Sequence, residues 1–309
     1  MAWKYNKEGV LTEMHVKALS LLLCMLLLVP LAACGTASGH DAPSPSPNAA
    51  PTAVPSAPEP TPTPTPEPAP TPTPEPSPTL MPVEPYEFGT PLEESEAVED
   101  DAFFDTAVYL GDSRTEGLQL FSGLKHGDFY WARGMTVFKA GSEDYRVFEV
   151  DGQKYNLLEA LALKQYESVY IMLGINELGY PAESYQEGLG QLLDKVIELQ
   201  PDAVVYLQIM PPMNDALCRK NKLADYINNE KLSQFNDAIT LLAAEKKVVL
   251  LNTAEAYAGE DGQLPAELAS DGCHFAYDAY KRWADYLRSH VIDRERYFLN
   301  RAMGSAEPS

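Results

Sequence analysis

From Asp41 to Pro85 the chain is dominated by proline, threonine, serine and alanine, and Thr-Pro-Thr-Pro-Glu-Pro occurs twice within it. Proline removes the backbone donor and fixes φ, so this stretch can enter neither helix nor sheet. It reads as an extended, polyproline-like tether of about 3.1 Å per residue, with a reach on the order of 100 Å. A spacer holding a catalytic domain off a membrane and an unselective linker with O-glycosylated threonines both fit the composition. In either case the tract confines a packed core to the residues beyond it. About 200 residues from Asp100 onward suit one domain with a sizeable core.

Residues 1–33 read as an export signal. The apolar stretch Ala18–Ala33 is about 16 residues, short of the roughly 20 that span a bilayer as a helix. A retained transmembrane anchor therefore fits less well than a cleaved signal. A start at Met14 gives Met14-His15-Val16-Lys17, a short basic head of the usual kind, and starts at Met1 and Met14 both support export. Of the four cysteines, Cys24 lies inside the signal. Cys34 ends Leu31-Ala32-Ala33-Cys34, which resembles the lipobox of bacterial lipoproteins, where the cysteine is diacylated and becomes the new N-terminus. That resemblance implies a membrane anchor through lipidated Cys34, on the extracellular face of the bacterial cytoplasmic membrane; two acyl chains suffice for stable anchoring. The expected layout is a signal over 1–33, an anchor, tether and acidic lead-in over 34–99, one folded domain over 100–295 and a flexible tail over 296–309.

The net charge of −22 excludes nucleic acid as a partner, since phosphates demand basic patches. It suits a protein kept soluble outside the cell. Within the domain, short apolar runs at Ala107–Leu110, Val169–Leu173, Ala203–Ile209 and Val248–Leu251, with a weaker one at Asp128–Ala132, alternate with amphipathic stretches. The latter cover Leu157–Gln165, Ala182–Leu199, Leu223–Glu245 and Asp278–Val291. Such alternation predicts an α/β fold, a parallel sheet with helices on both faces. Ligands in such folds sit beyond the carboxyl ends of the strands, so the residues after each strand decide function.

After the first strand comes Gly111-Asp112-Ser113-Arg114. A serine between a strand and a helix exposes its hydroxyl near backbone N–H groups that can stabilise an oxyanion. The tripeptide alone is also an ordinary turn. After a later strand comes Gly174-Ile175-Asn176-Glu177, where the asparagine offers an N–H₂ donor at the same edge, or merely forms a turn. Before the last helix lies Asp271-Gly272-Cys273-His274. Histidine is matched to proton transfer near neutrality and needs a carboxylate to fix its tautomer, and a three-residue separation can turn both to one site. Without the serine upstream, a helix cap at Asp271 would be the better reading.

The conjunction, in this order, resembles the SGNH (GDSL-type) hydrolase family over about Asp101–Val291. The resemblance implies a flavodoxin-like three-layer α/β/α sandwich with a five-stranded parallel sheet. It implies Ser113 as nucleophile, Asp271 and His274 as its partners, and an oxyanion hole from the N–H of Ser113, the N–H of Gly134 and the amide of Asn176. Two departures stand out. Glu177 follows Asn176 where the family often has aspartate, which concerns local loop contacts. Arg114 stands where leucine is common, either facing the substrate mouth or lying on the helix surface. No metal-ligand pattern, Walker loop or dinucleotide turn is present, so neither metal, cofactor nor nucleotide is expected. Cys218 and Cys273 fall in loops at the same edge, and export permits oxidation; they are either a disulfide bracing His274 or two unpaired small residues.

The resemblance also implies an acyl-ester substrate, with small acyl groups such as acetyl on cell-wall or other carbohydrate as the leading expectation. Transfer of the acyl group to a sugar hydroxyl, and a non-catalytic wall-binding module on the same fold, are the alternatives.

Overall fold

The computed structural model describes residues 85–95, 97–98 and 100–303. The export signal, Cys34 and the tether up to Glu84 lie outside the described residues. In chain order come β1 (Ala107–Gly111), α1 (Ser113–Phe121), β2 (Asp128–Trp131), β3 (Phe148–Val150), β4 (Gln153–Tyr155) and α2 (Leu157–Leu161). Next are β5 (Ser168–Met172), α3 (Ala182–Leu199), β6 (Val204–Gln208), α4 (Asp215–Lys220) and α5 (Asn229–Lys246). The last elements are β7 (Val249–Leu251), α6 (Tyr280–Ser289) and α7 (Arg294–Met303).

The five apolar runs of the sequence are the five strands of one parallel sheet, in the order β2-β1-β5-β6-β7. Every residue of β1, β5, β6 and β7 is buried, as parallel strands covered on both faces must be. Helices α1 and α6 pack together, while α2 and α5 pack against α3, which gives the three-layer α/β/α sandwich. An aromatic ladder crosses the sheet itself. Phe129, Tyr109, Tyr170 and Tyr206 stand at the same register on four adjacent strands. Their rings stack at 4.4, 5.1 and 4.5 Å, so ring contact adds to the backbone hydrogen bonds between the strands.

The packed structure is longer than 100–295 at both ends. Pro91 bridges Leu250 in parallel, the Leu92 N–H donates to Leu250 O at 2.8 Å, and the Leu250 N–H donates to Tyr86 Oη at 3.0 Å. These bonds cover the edge of β7, which would otherwise offer unpaired backbone groups. The Tyr86 N–H in turn donates to Asn300 Oδ1 at 2.9 Å, and Tyr297 of α7 is fully buried. The segment just ahead of the acidic lead-in is thus tied to β7 and α7, and the expected tail begins inside a helix. The β3–β4 hairpin also adds to the expected elements; its Asp151-Gly152 turn has φ of 52° and 77°, the positive values of a type I′ connection.

The strand order decides where a ligand can sit. Strand β1 pairs with β2 on one side and β5 on the other, so the chain changes direction across it. The crevice beyond the carboxyl ends of two such strands is the usual ligand position. Ser113 follows β1 and Asn176 follows β5.

Candidate active site

Asp112 ends the first strand's exit loop and caps α1, its Oδ1 accepting the Arg114 N–H at 2.9 Å. This places Ser113 at the first position of a nine-residue helix, where the leading N–H groups lack intrahelical acceptors and the helix dipole is positive. The Ser113 hydroxyl faces His274 Nε2 at 2.8 Å, and His274 Nδ1 faces Asp271 Oδ2 at 2.9 Å. With Nδ1–H donating to the carboxylate, Nε2 keeps its lone pair toward the serine. The three residues that the sequence singled out therefore form one hydrogen-bonded line.

Asp271 does more than hold the ring. Its Oδ1 accepts the N–H groups of Cys273 at 2.8 Å and His274 at 2.7 Å, so one carboxylate fixes both the loop and the imidazole. Burial pushes its pKa up, but the hydrogen bonds from the His274 ring and amide outweigh that and hold it well below the usual carboxylate range.

Arg114 neither faces the substrate mouth nor lies on the surface: it is 1% exposed. Its Nε and Nη2 donate to Cys273 O at 3.1 and 2.7 Å, and its Nη1 donates to Pro211 O at 3.1 Å. The guanidinium carbon lies 5.1 Å from the Phe275 ring centroid, within cation–π range. The buried fork bolts the histidine loop to the head of α1. Lysine cannot reproduce three directed bonds from a planar group. Arg114→Lys is expected to cost about 2–4 kcal/mol in urea denaturation, mostly from carbonyls left unpaired.

Of the two readings of Cys218 and Cys273, the unpaired one holds: both are free and buried. Gly272, at φ 102°, packs directly on Cys218, and a Cβ there would lie 2.8 Å from Cys218 Sγ. Tight backbone packing and the Arg114 bolt brace His274 instead. Burial pushes the Cys218 thiol up to about 11 and raises Cys273 as well, so both stay protonated and unreactive near neutrality.

Asn176 and Gly134 lie at the same cleft as Ser113 and His274. The Asn176 amide donates to Met135 O at 2.9 Å and to Asp112 Oδ2 at 3.2 Å, so both of its hydrogens are engaged within the protein. Gly174, at φ 139°, makes the sharp exit from β5 that aims Asn176 this way; a Cβ on it would meet Met210 Cε at 2.7 Å. The cleft encloses about 520 Å³. Tyr277 and Phe121 form one wall, 71% and 38% exposed with ring centroids 4.5 Å apart. Arg133 Nε, also among the lining residues, meets Glu116 Oε2 at 2.6 Å. A larger cavity of about 850 Å³ lies beside Leu92 and His290, but His290 there is stacked on Tyr286 at 3.7 Å, and the Ser113–His274–Asp271 line is elsewhere. Of these groups the sequence pointed to neither the Tyr277–Phe121 wall nor the Arg133–Glu116 pair, because both are made by residues from separate elements.

The profile of the GDSL-like Lipase/Acylhydrolase family matches residues 109–299. The chain belongs to this family. No curated protein matches the chain in sequence. Among solved structures, this acylhydrolase-family chain is similar to a Streptococcus pneumonia protein proposed as a platelet activating factor, at 21% identity and TM-score 0.47, over 59% of this chain and 81% of that one. It is also similar to a proposed lipolytic protein of the G-D-S-L family from Desulfitobacterium hafniense DCB-2 (16%, TM-score 0.45, 60% and 99%). A third is a GDSL-like lipase from Bacteroides thetaiotaomicron VPI-5482 (15%, TM-score 0.42, 69% and 93%).

Proposed function

We propose that this acylhydrolase-family chain is an exported serine esterase that removes small acyl groups, such as acetyl, from carbohydrate. One observation carries the reading: Ser113, His274 and Asp271 lie in line at 2.8 and 2.9 Å, at the head of a helix and at the mouth of a cleft. Ser113 Oγ attacks the ester carbonyl as His274 Nε2 takes the hydroxyl proton. The N–H groups of Ser113 and Gly134 and the Asn176 amide hold the oxyanion. Asn176 supplies the hydrogen of its longer bond, the one to Asp112, and keeps its bond to Met135. The Nε2 proton then passes to the departing alkoxide, leaving an acyl-serine. Water, deprotonated by the same nitrogen, attacks that acyl group and releases the acid and Ser113.

The substrate class rests on the shape and lining of the cleft. About 520 Å³ holds a small acyl group with a sugar residue, and the exposed Tyr277 and Phe121 rings offer an apolar face of the kind a pyranose can lie on. The Arg133–Glu116 pair in the same cleft gives polar partners for hydroxyls. Export and anchoring rest on the sequence Leu31-Ala32-Ala33-Cys34, with Cys34 as the acylated residue. A fluorophosphonate probe applied to the full chain tests the chemistry. Labelling at Ser113 that disappears in His274→Ala is expected. A folded chain that takes no label would overturn the esterase reading.

A further inference from the structure

Glu177 is fully buried, directly after Asn176. Its Oε1 accepts the Val137 N–H at 2.6 Å, while its Oε2 is buried without a hydrogen-bond partner in the protein. Its neighbour Asn176 donates to Met135 O. Two consecutive residues after β5 thus grip the 134–137 loop at a carbonyl and at an amide two residues apart. That loop carries Gly134. Lys139 adds a third hold, its Nζ donating to Gly134 O at 2.7 Å. We infer that Glu177 is a positioning residue, which ties the Gly134–Val137 loop to Asn176 and so sets the two oxyanion donors that Ser113 does not supply. The inference rests on the esterase reading for its kinetic consequence, though not for the contact itself.

The carboxyl works as a neutral acid. The charged groups facing it are few. Asp112, from the cap of α1, opposes ionisation, and Lys139, from the 137–139 turn, favours it weakly, its amine being committed to Gly134. Tyr185 of α3 also lies near, but its hydroxyl donates to Leu173 O. An ionised carboxylate here would have one oxygen without any donor and a second acid beside it. Burial, with the Asp112 charge, accordingly pushes Glu177 up to about 8. Below that pH the proton sits on the unpaired Oε2 and Oε1 keeps Val137. Above it, charge appears in the interior beside Asp112, the acceptor of Asn176; the Val137 N–H bond favours the ionised carboxylate, but the second charge next to Asp112 disturbs the hold on Asn176 and so on the loop.

Glutamine reproduces the neutral acid in shape and in its acceptor oxygen; alanine does not. In the full chain, Glu177→Gln is expected to keep kcat within about 2-fold of wild type at pH 7 and to move the alkaline fall in kcat to higher pH. Glu177→Ala is expected to lower kcat by roughly 10- to 100-fold at pH 7 with little change in KM, the scale of a misplaced catalytic group. It is also expected to speed hydrogen exchange at the Val137 amide, read by NMR, which Glu177→Gln leaves protected. Thermal melts give an activity-independent check. The unfolded chain releases this proton near the ordinary pKa of 4.5, the folded one near 8. The stability from the neutral group is therefore full below the first value and lost as pH rises through the second. Wild type should thus melt progressively below Glu177→Gln over that window. An unshifted alkaline limb in Glu177→Gln, or a protected Val137 amide in folded Glu177→Ala, would overturn the inference. Absence of Ser113-dependent turnover in the wild type would instead defeat the esterase reading, and the exchange and melting data would still decide the role of Glu177.

Discussion

Ser113→Ala is expected to lower ester turnover by roughly 10⁴- to 10⁶-fold while leaving the domain folded. The size reflects how many steps pass through one atom. In the proposed mechanism Oγ is the nucleophile, the carrier of the acyl group and the source of the proton that His274 needs in order to act as an acid. Without it, the cleft still binds and the backbone N–H groups still face the carbonyl, so residual catalysis over water persists. The fold is insulated because the helix start does not depend on the serine side chain. Asp112 is the cap, through its bond to the Arg114 N–H, and alanine is the best helix former for the first turn. Melting within about 0.5 kcal/mol of wild type is therefore expected. Steady-state kinetics on a small acyl ester, beside a melting curve, separate loss of the nucleophile from loss of structure. Full turnover by a folded Ser113→Ala chain would remove this serine from the chemistry.

The sheet was legible because parallel strands buried on both faces must be continuous apolar runs, and Val169–Leu173 or Ala203–Ile209 have no polar alternation to confuse them. The Ser113–His274–Asp271 line was legible because its parts fall at loop positions that an α/β sheet brings to one edge, whatever lies between. What was not legible depends on pairs far apart in sequence. Nothing local in Arg114 says that its guanidinium will be buried on Cys273 O and Pro211 O, 159 and 97 residues away. Leading-loop residues such as Tyr86 look like linker until Leu250 and Asn300 are placed beside them. The β3–β4 hairpin is a different case, since Asp151-Gly152 between Phe148–Val150 and Gln153–Tyr155 is itself a hairpin signal. The run was too short and too polar to stand out beside the buried strands.

The missing pieces share a physical role. Asp112, Arg114 and Glu177 touch the groups that hold the site: Asp112 takes the Asn176 amide, Arg114 takes the Cys273 carbonyl, Glu177 takes the Val137 N–H. All three are buried and charged by type, which is costly unless every such group has a partner or gives up its charge. Asp112 and Arg114 lie close enough to offset one another, and burial raises the pKa of Asp112 with Arg114 opposing it. Polar groups of this kind beside Ser113 fix its neighbours at positions that apolar side chains would leave free to slide.

Asp271→Asn is expected to lower kcat by about 10⁴-fold, with KM little changed. The two halves of the Asp271 carboxylate predict different things. Oδ1 accepts the backbone N–H groups of Cys273 and His274, and an asparagine oxygen can accept them too, so the loop keeps its shape. The other position carries N–H₂ in the variant. It can then only donate, and the ring nitrogen it meets, now Nδ1 without a proton, must accept. The imidazole proton moves to Nε2, facing Ser113, where a base is required. The loss is one of tautomer and orientation more than of attraction: the two side chains are 36% and 39% exposed, and solvent screens much of their charge interaction. Asp271→Ala makes the complementary test, because it removes the acceptor for both amides and should cost stability as well as turnover. A melting curve for Asp271→Asn close to wild type, with kcat reduced on this scale, would assign the carboxylate to the state of the histidine. Turnover near wild type in that variant would mean that His274 finds its tautomer without Asp271, and that the line from Asp271 to Ser113 is not the catalytic one.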